Sequence, residues 1–154
     1  MKKLIAVLSA LVMLSALTVP FTAFAEEKNT VVQFDVDPSY LITIPQKVTL
    51  NGTYGQPYTG SGTITAEKVF LEEGKKIGIT LTSASQFNLK LSDNTNLPYT
   101  AKGAAFPKLT DKANGGKVAE FAEAGNTTVS FTTDTAPQYA GKYTDSVVFT
   151  IAIE

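Results

Sequence analysis

The chain has 154 residues, 13 lysines against 14 acidic residues, and no Arg, His, Cys or Trp. Without His or Cys it lacks the usual general base near neutral pH, the Ser–His and Cys–His nucleophiles and the ordinary zinc ligands. Without Arg it has no guanidinium to grip phosphate in two places, and its net charge of −1 is the wrong sign for a nucleic-acid partner.

Lys2-Lys3, the apolar run Leu4 to Val19, Pro20 and the small-x-small pattern Ala23-Phe24-Ala25 predict a secretory signal peptide over residues 1–25. Cleavage after Ala25 leaves 129 residues with 11 lysines and 14 acids, net −3, and no stable membrane span. That length supports a single domain, 26–154, held by burial alone because no disulfide can form. A secreted, extracellular location follows, with cell-surface association open.

Val32, Phe34 and Val36 alternate with Gln33, Asp35 and Asp37, predicting a first strand. Asp37-Pro38-Ser39 is turn chemistry, and Tyr40, Ile42 and Ile44 share the next face until Pro45, which removes a ladder donor. Residues 51–62 form a Gly-rich loop carrying Tyr54 and Tyr58. In the strand after it, the apolar phase slips from Ile64 and Ala66 to Val69 and Leu71, predicting a bulge near Glu67-Lys68. Glu72-Glu73-Gly74 reads as a hairpin loop with Gly in the left-handed region. Ile77 to Leu81 and Phe87 to Leu91 read as strands, and the stretch 97–110, with Pro98 and Pro107, as short strands or extended loop. A short strand is expected over Val118 to Phe121 and another over Thr128 to Thr132. After Ala140-Gly141, Tyr143, Val147, Phe149, Ile151 and Ile153 alternate with polar residues to the end of the sequence, so the last strand is expected to close the fold.

Strands every eight to twelve residues, with turns between them, predict an all-β, antiparallel Ig-like β-sandwich of about 8–9 strands. Asp35 with Asp37 and Glu72 with Glu73 sit on a wet face and in a turn, where solvated charge accounts for them, so no enzyme is expected. Asp93-Asn94-Thr95-Asn96 and Asp111 lack the alternating ligands, Gly and bidentate Glu of a calcium loop, and no metal or cofactor is expected. A Lys–Asn cross-link in place of disulfides would involve Lys90 or Lys117, but Lys90 falls on the wet face.

Val36-Asp37-Pro38-Ser39-Tyr40 with Ile42-Thr43-Ile44-Pro45, Val69 to Lys76 and Ala140 to Ile151 resemble small secreted β-sandwich proteins of Gram-positive bacteria. More distantly they are similar to WxL-type surface domains and to spore-coat U-like and fimbrial adhesin modules. The Trp-x-Leu signature needs a Trp this chain lacks, and the resemblance supplies no catalytic residues. It implies a non-enzymatic extracellular or cell-surface role in adhesion, assembly or surface interaction. Partners would be a cell-surface protein, a glycan or the chain itself. Two mechanisms are compatible with the residues. The N-terminal segment, with Val32, Phe34 and Val36 as its apolar face, can add to a neighbour's sheet; or Tyr54 and Tyr58 can form a carbohydrate-binding surface.

Overall fold

The computed structural model describes residues 31–92, 95–107 and 111–154. The predicted signal peptide and the Asp93-Asn94 pair lie outside them. The chain divides after Asp35 into two units.

In the first unit, Val31 to Asp35 carries no strand; its apolar side chains are exposed and Gln33 Nε2 donates to Asp35 Oδ1 at 3.4 Å. The strand expected over Val32 to Val36 is therefore unpaired. Alternation specifies two faces, but a ladder also needs an edge to bond with, and pairing begins only after Pro38.

The second unit has eight strands: β1 (Ser39–Thr43), β2 (Thr59–Phe70), β3 (Ile77–Ser83), β4 (Asn88–Ser92), β5 (Thr95–Gly103), β6 (Gly116–Phe121), β7 (Gly125–Thr133) and β8 (Val147–Ile153). They form an antiparallel five-stranded sheet ordered β1-β2-β7-β5-β4 and a three-stranded sheet ordered β6-β3-β8. Between the sheets lies the core that a two-faced sandwich requires. Ile64, Ile77, Ile79, Leu81, Val118 and Val129 are fully buried in it, while intervening positions of β2 and β7, such as Thr63 and Ser130, face outward. Phe87 meets Tyr99 edge to face and Tyr99 meets Phe131 at a tilt, with ring centroids 5.5 and 6.3 Å apart.

The slip in β2 is a bulge: Leu41 pairs with Lys68 and Ile42 with Ala66, leaving Glu67 as the extra residue. Gly74 adopts the expected positive φ of 79°, but the turn around it is not a hairpin. β2 and β3 lie in different sheets, so residues 71–76 cross between them. Around Pro98 the chain forms a nine-residue strand, β5, rather than short pieces. The last strand starts at Val147, because the stretch before it is tied to β4 by reciprocal Lys90–Thr144 backbone bonds.

Candidate functional site

The sandwich has four strands at sheet margins, and three of them are blunted against further pairing. Exposed edges invite another strand unless charge, proline, bulges or short length disfavour it. β1 is five residues long, is bulged against β2 and leads into Pro45. β4 is also five residues, carries Lys90, and is bridged at that residue by Thr144. β6 carries Lys117 and Glu120 and a register shift against β3. β8 differs: Val147-Val-Phe-Thr-Ile-Ala-Ile153 has no charge and no proline, and pairs with β3 in unbroken register from Ser83↔Val147 to Ile77↔Ile153. Its other edge has no strand neighbour among the described residues.

The side chains on β8 match that openness. Val147, Phe149 and Ile151 pack on the core yet remain half-buried, while the equivalent face of β3 (Ile77, Ile79, Leu81) is wholly buried. Ile42, Ile44, Val48 and Leu50 are half-buried in the same way. These come from β1 and from residues 44–50, which cross β2 where Gly60 and Gly62 leave room. A Cβ on Gly62 would sit 2.7 Å from Pro45 Cγ. Residues 45–50 make no backbone hydrogen bonds among the described residues.

Two polar arrangements fix β8 in place. At its start, Asp145 accepts from Tyr99 Oη at 2.7 Å and Ser83 Oγ at 2.6 Å. Burial first, and the Asp145 carboxylate second, push the Tyr99 phenol up, so it remains a donor at any ordinary pH. At the other end, Glu154 lies over Gly78 and meets Lys117 Nζ at 2.6 Å; Lys117 also meets Glu120 at 2.6 Å, and Glu120 meets Lys76 at 2.7 Å. The hydrogen bonds from Lys117 and then Lys76 hold the Glu120 carboxyl down to about 2, and Glu120 and Glu154 in turn raise Lys117. Lys117 is thus taken up in ion pairs, and Lys90 is exposed.

Of the residues singled out in the sequence, Tyr54 is 97% exposed at the tip of the loop whose base is closed by Asn51–Thr59 backbone bonds of 2.7 and 2.9 Å. Tyr58 is half-buried over Gly52, where an added Cβ would lie 2.8 Å from its ring. The loop thus presents one free tyrosine and one packed one. Val32 and Phe34 are 90% and 85% exposed, and Val36 is exposed too. Asp111 accepts from the Ala113 and Asn114 N–H groups, which lower its carboxyl as they cap the turn. Sequence reading missed the Asp145 anchor and the Lys117 network. Apart from Lys117 and Glu120, three residues apart on β6, the partners are 37 to 62 residues apart and leave no local pattern to find.

No family model and no curated protein sequence matches the chain. Among solved structures, it is similar to a chain of the complex described as "Chaperone-tip adhesin complex is vital for synergistic activation of CFA/I fimbriae biogenesis". The match covers 73% of this chain and 40% of that one, with a TM-score of 0.51 and 18% identity. At that identity the likeness is one of fold, and this chain spans well under half of its neighbour's length. No helix among the described residues is long and apolar enough to cross a membrane.

Proposed function

We propose that this is a non-enzymatic extracellular protein that assembles by strand addition. The segment Val31 to Val36 of one copy lies along the outer edge of β8 in another. The observation that carries this reading is the pairing of an unguarded edge with an unpaired strand. β8 is the one margin without charge, proline or bulge, and the exposed Val32-Gln-Phe-Asp-Val36 stretch has the alternation that such an edge accepts. Val32, Phe34 and Val36 would extend the half-buried row Val147, Phe149 and Ile151, and Gln33 and Asp35 would face water. Backbone bonds supply affinity in this mode, and the alternate side chains supply register. The fold shared with a chain from a fimbrial chaperone–adhesin complex is consistent with a role in surface assembly or adhesion.

Size-exclusion chromatography of the protein against a variant lacking residues 26–37 tests it. Oligomers that disappear in the variant, with β-sheet circular dichroism retained, support strand addition. Monomers in both cases overturn it, as do oligomers that survive the deletion, which would place the contact elsewhere.

A further inference from the structure

The outward face of the five-stranded sheet has a composition that strand addition does not use. In register across β2, β7 and β5, Thr59 pairs with Thr132 and Thr132 with Thr100; one step along, Ser61 pairs with Ser130 and Ser130 with Lys102. These six positions hold five hydroxyls, one ammonium, no carboxylate and no large apolar group. Five of them, all but Thr100, line an open depression of about 720 Å³, with Thr49 and Asn51 at its margin. Neighbouring strands are ~4.8 Å apart, so three strands present this surface over roughly 10 Å, about the length of two sugar rings.

We propose that this face binds an acidic polysaccharide, its sugar hydroxyls meeting the Thr and Ser rows and one anionic substituent meeting Lys102. Three observations carry it. The hydroxyls of Thr59, Ser61, Ser130 and Thr132 have no protein partner among the described residues, so each is free to donate and accept. Lys102 is exposed and, like Lys47, Lys68, Lys75, Lys90 and Lys142, has no ion-pair partner among the described residues, and it is the one cation among these six positions. Third, none of these six positions carries a carboxylate in a chain where acids outnumber lysines, and Glu67, further along β2, accepts from Thr43 Oγ1 at 2.8 Å. The nearest along β7, Asp134, is already held by Lys112 at 2.6 Å. A hydroxyl floor around one unneutralised cation suits a ligand that is mostly hydroxyl with an occasional anion. It does not suit a nucleic acid, whose dense phosphates need many cations. The site is separate from β8 and needs no oligomer.

Isothermal titration of the purified protein with tetragalacturonate, a sulfated galactose tetramer and a neutral galactose tetramer tests the proposal. The anionic probes should bind with salt-sensitive affinity, the carboxylate and sulfate arms telling which anion is preferred, and the neutral probe should bind more weakly. Lys102→Met should weaken the anionic probes about tenfold, the scale of one charge-assisted hydrogen bond. Ser130→Ala with Thr132→Val, which removes both hydroxyls without adding bulk, should weaken all three. Thermal unfolding checks that each variant is folded. Absence of binding by every probe overturns the proposal. So does binding that ignores these changes but is lost in Tyr54→Ala, which would move the site to the 51–59 loop.

Discussion

Asp145 is the residue on which the position of β8 most depends. One carboxylate oxygen takes the hydroxyls of Ser83 on β3 and Tyr99 on β5, and the other takes the Ser146 N–H. The same Ser83 oxygen accepts from the Ser85 and Phe87 N–H groups, holding a turn in which Gln86 and Phe87 have φ of 53° and 58°. Tyr99→Phe keeps the ring contacts with Phe87 and Phe131 and removes one hydrogen bond to a charged acceptor. It should therefore lower unfolding free energy by about 2 kcal/mol, read from the urea midpoint at unchanged slope. Glu120 gives the second prediction at this scale. Its folded-state carboxyl lies at about 2 against an ordinary 4.5, so the stabilisation is fully present above about pH 4.5 and lost as pH falls toward 2. Thermal unfolding between pH 6 and pH 2.5 should show the parent protein losing its advantage over Glu120→Gln as pH drops, and 1 M NaCl should shrink that advantage at pH 6. Neither group was legible in the sequence. The Glu67 bulge was, because a one-residue phase slip is a local signal.

Among the elements, the contrast between the two ends of the sequence explains what alternation can and cannot tell. Val147 to Ile153 alternates and forms a strand; Val32 to Val36 alternates as cleanly and does not. The difference lies in pairing, since β8 bonds to β3 and Val32 to Val36 carries no strand, and periodicity does not encode a partner. For the same reason Glu72-Glu73-Gly74 was legible as a turn but not as a crossover, since a left-handed Gly serves a hairpin and a change of sheet equally. The candidate tyrosines were legible as loop residues, but which of them packs depends on Gly52 beneath Tyr58. β8 itself supports a prediction. Bonded to β3 on one side only, it should show alternate amides exchanging fast and alternate amides protected in native-state hydrogen exchange, whereas β3, bonded on both sides, should be protected throughout. A peptide of residues 30–38 should slow the fast set in β8 alone. Protection appearing instead in β1 or β6 would assign the docking edge to another margin.

At the scale of the molecule, the question is how a disulfide-free chain tolerates an unguarded apolar edge. Burial is the only large stabilising term open to it, and β8 leaves part of its apolar row half-exposed. An edge of that kind is normally selected against because it aggregates. Its retention beside three blunted margins makes sense if the edge is covered in the working state, and then the isolated chain should be less stable than the assembled one. The peptide of residues 30–38 separates the two states without the complication of polymer formation. In the variant lacking residues 26–37, a ligand that binds only the folded form adds about 2.7 kcal/mol at a hundredfold excess over Kd. For a domain of this size that corresponds to a rise in Tm of roughly 10 °C. The rise should scale with the logarithm of peptide concentration, and Val32→Ser with Phe34→Ser in the peptide should abolish it. An unchanged Tm at millimolar peptide would mean that β8 is stable uncovered, and strand addition would lose its thermodynamic basis.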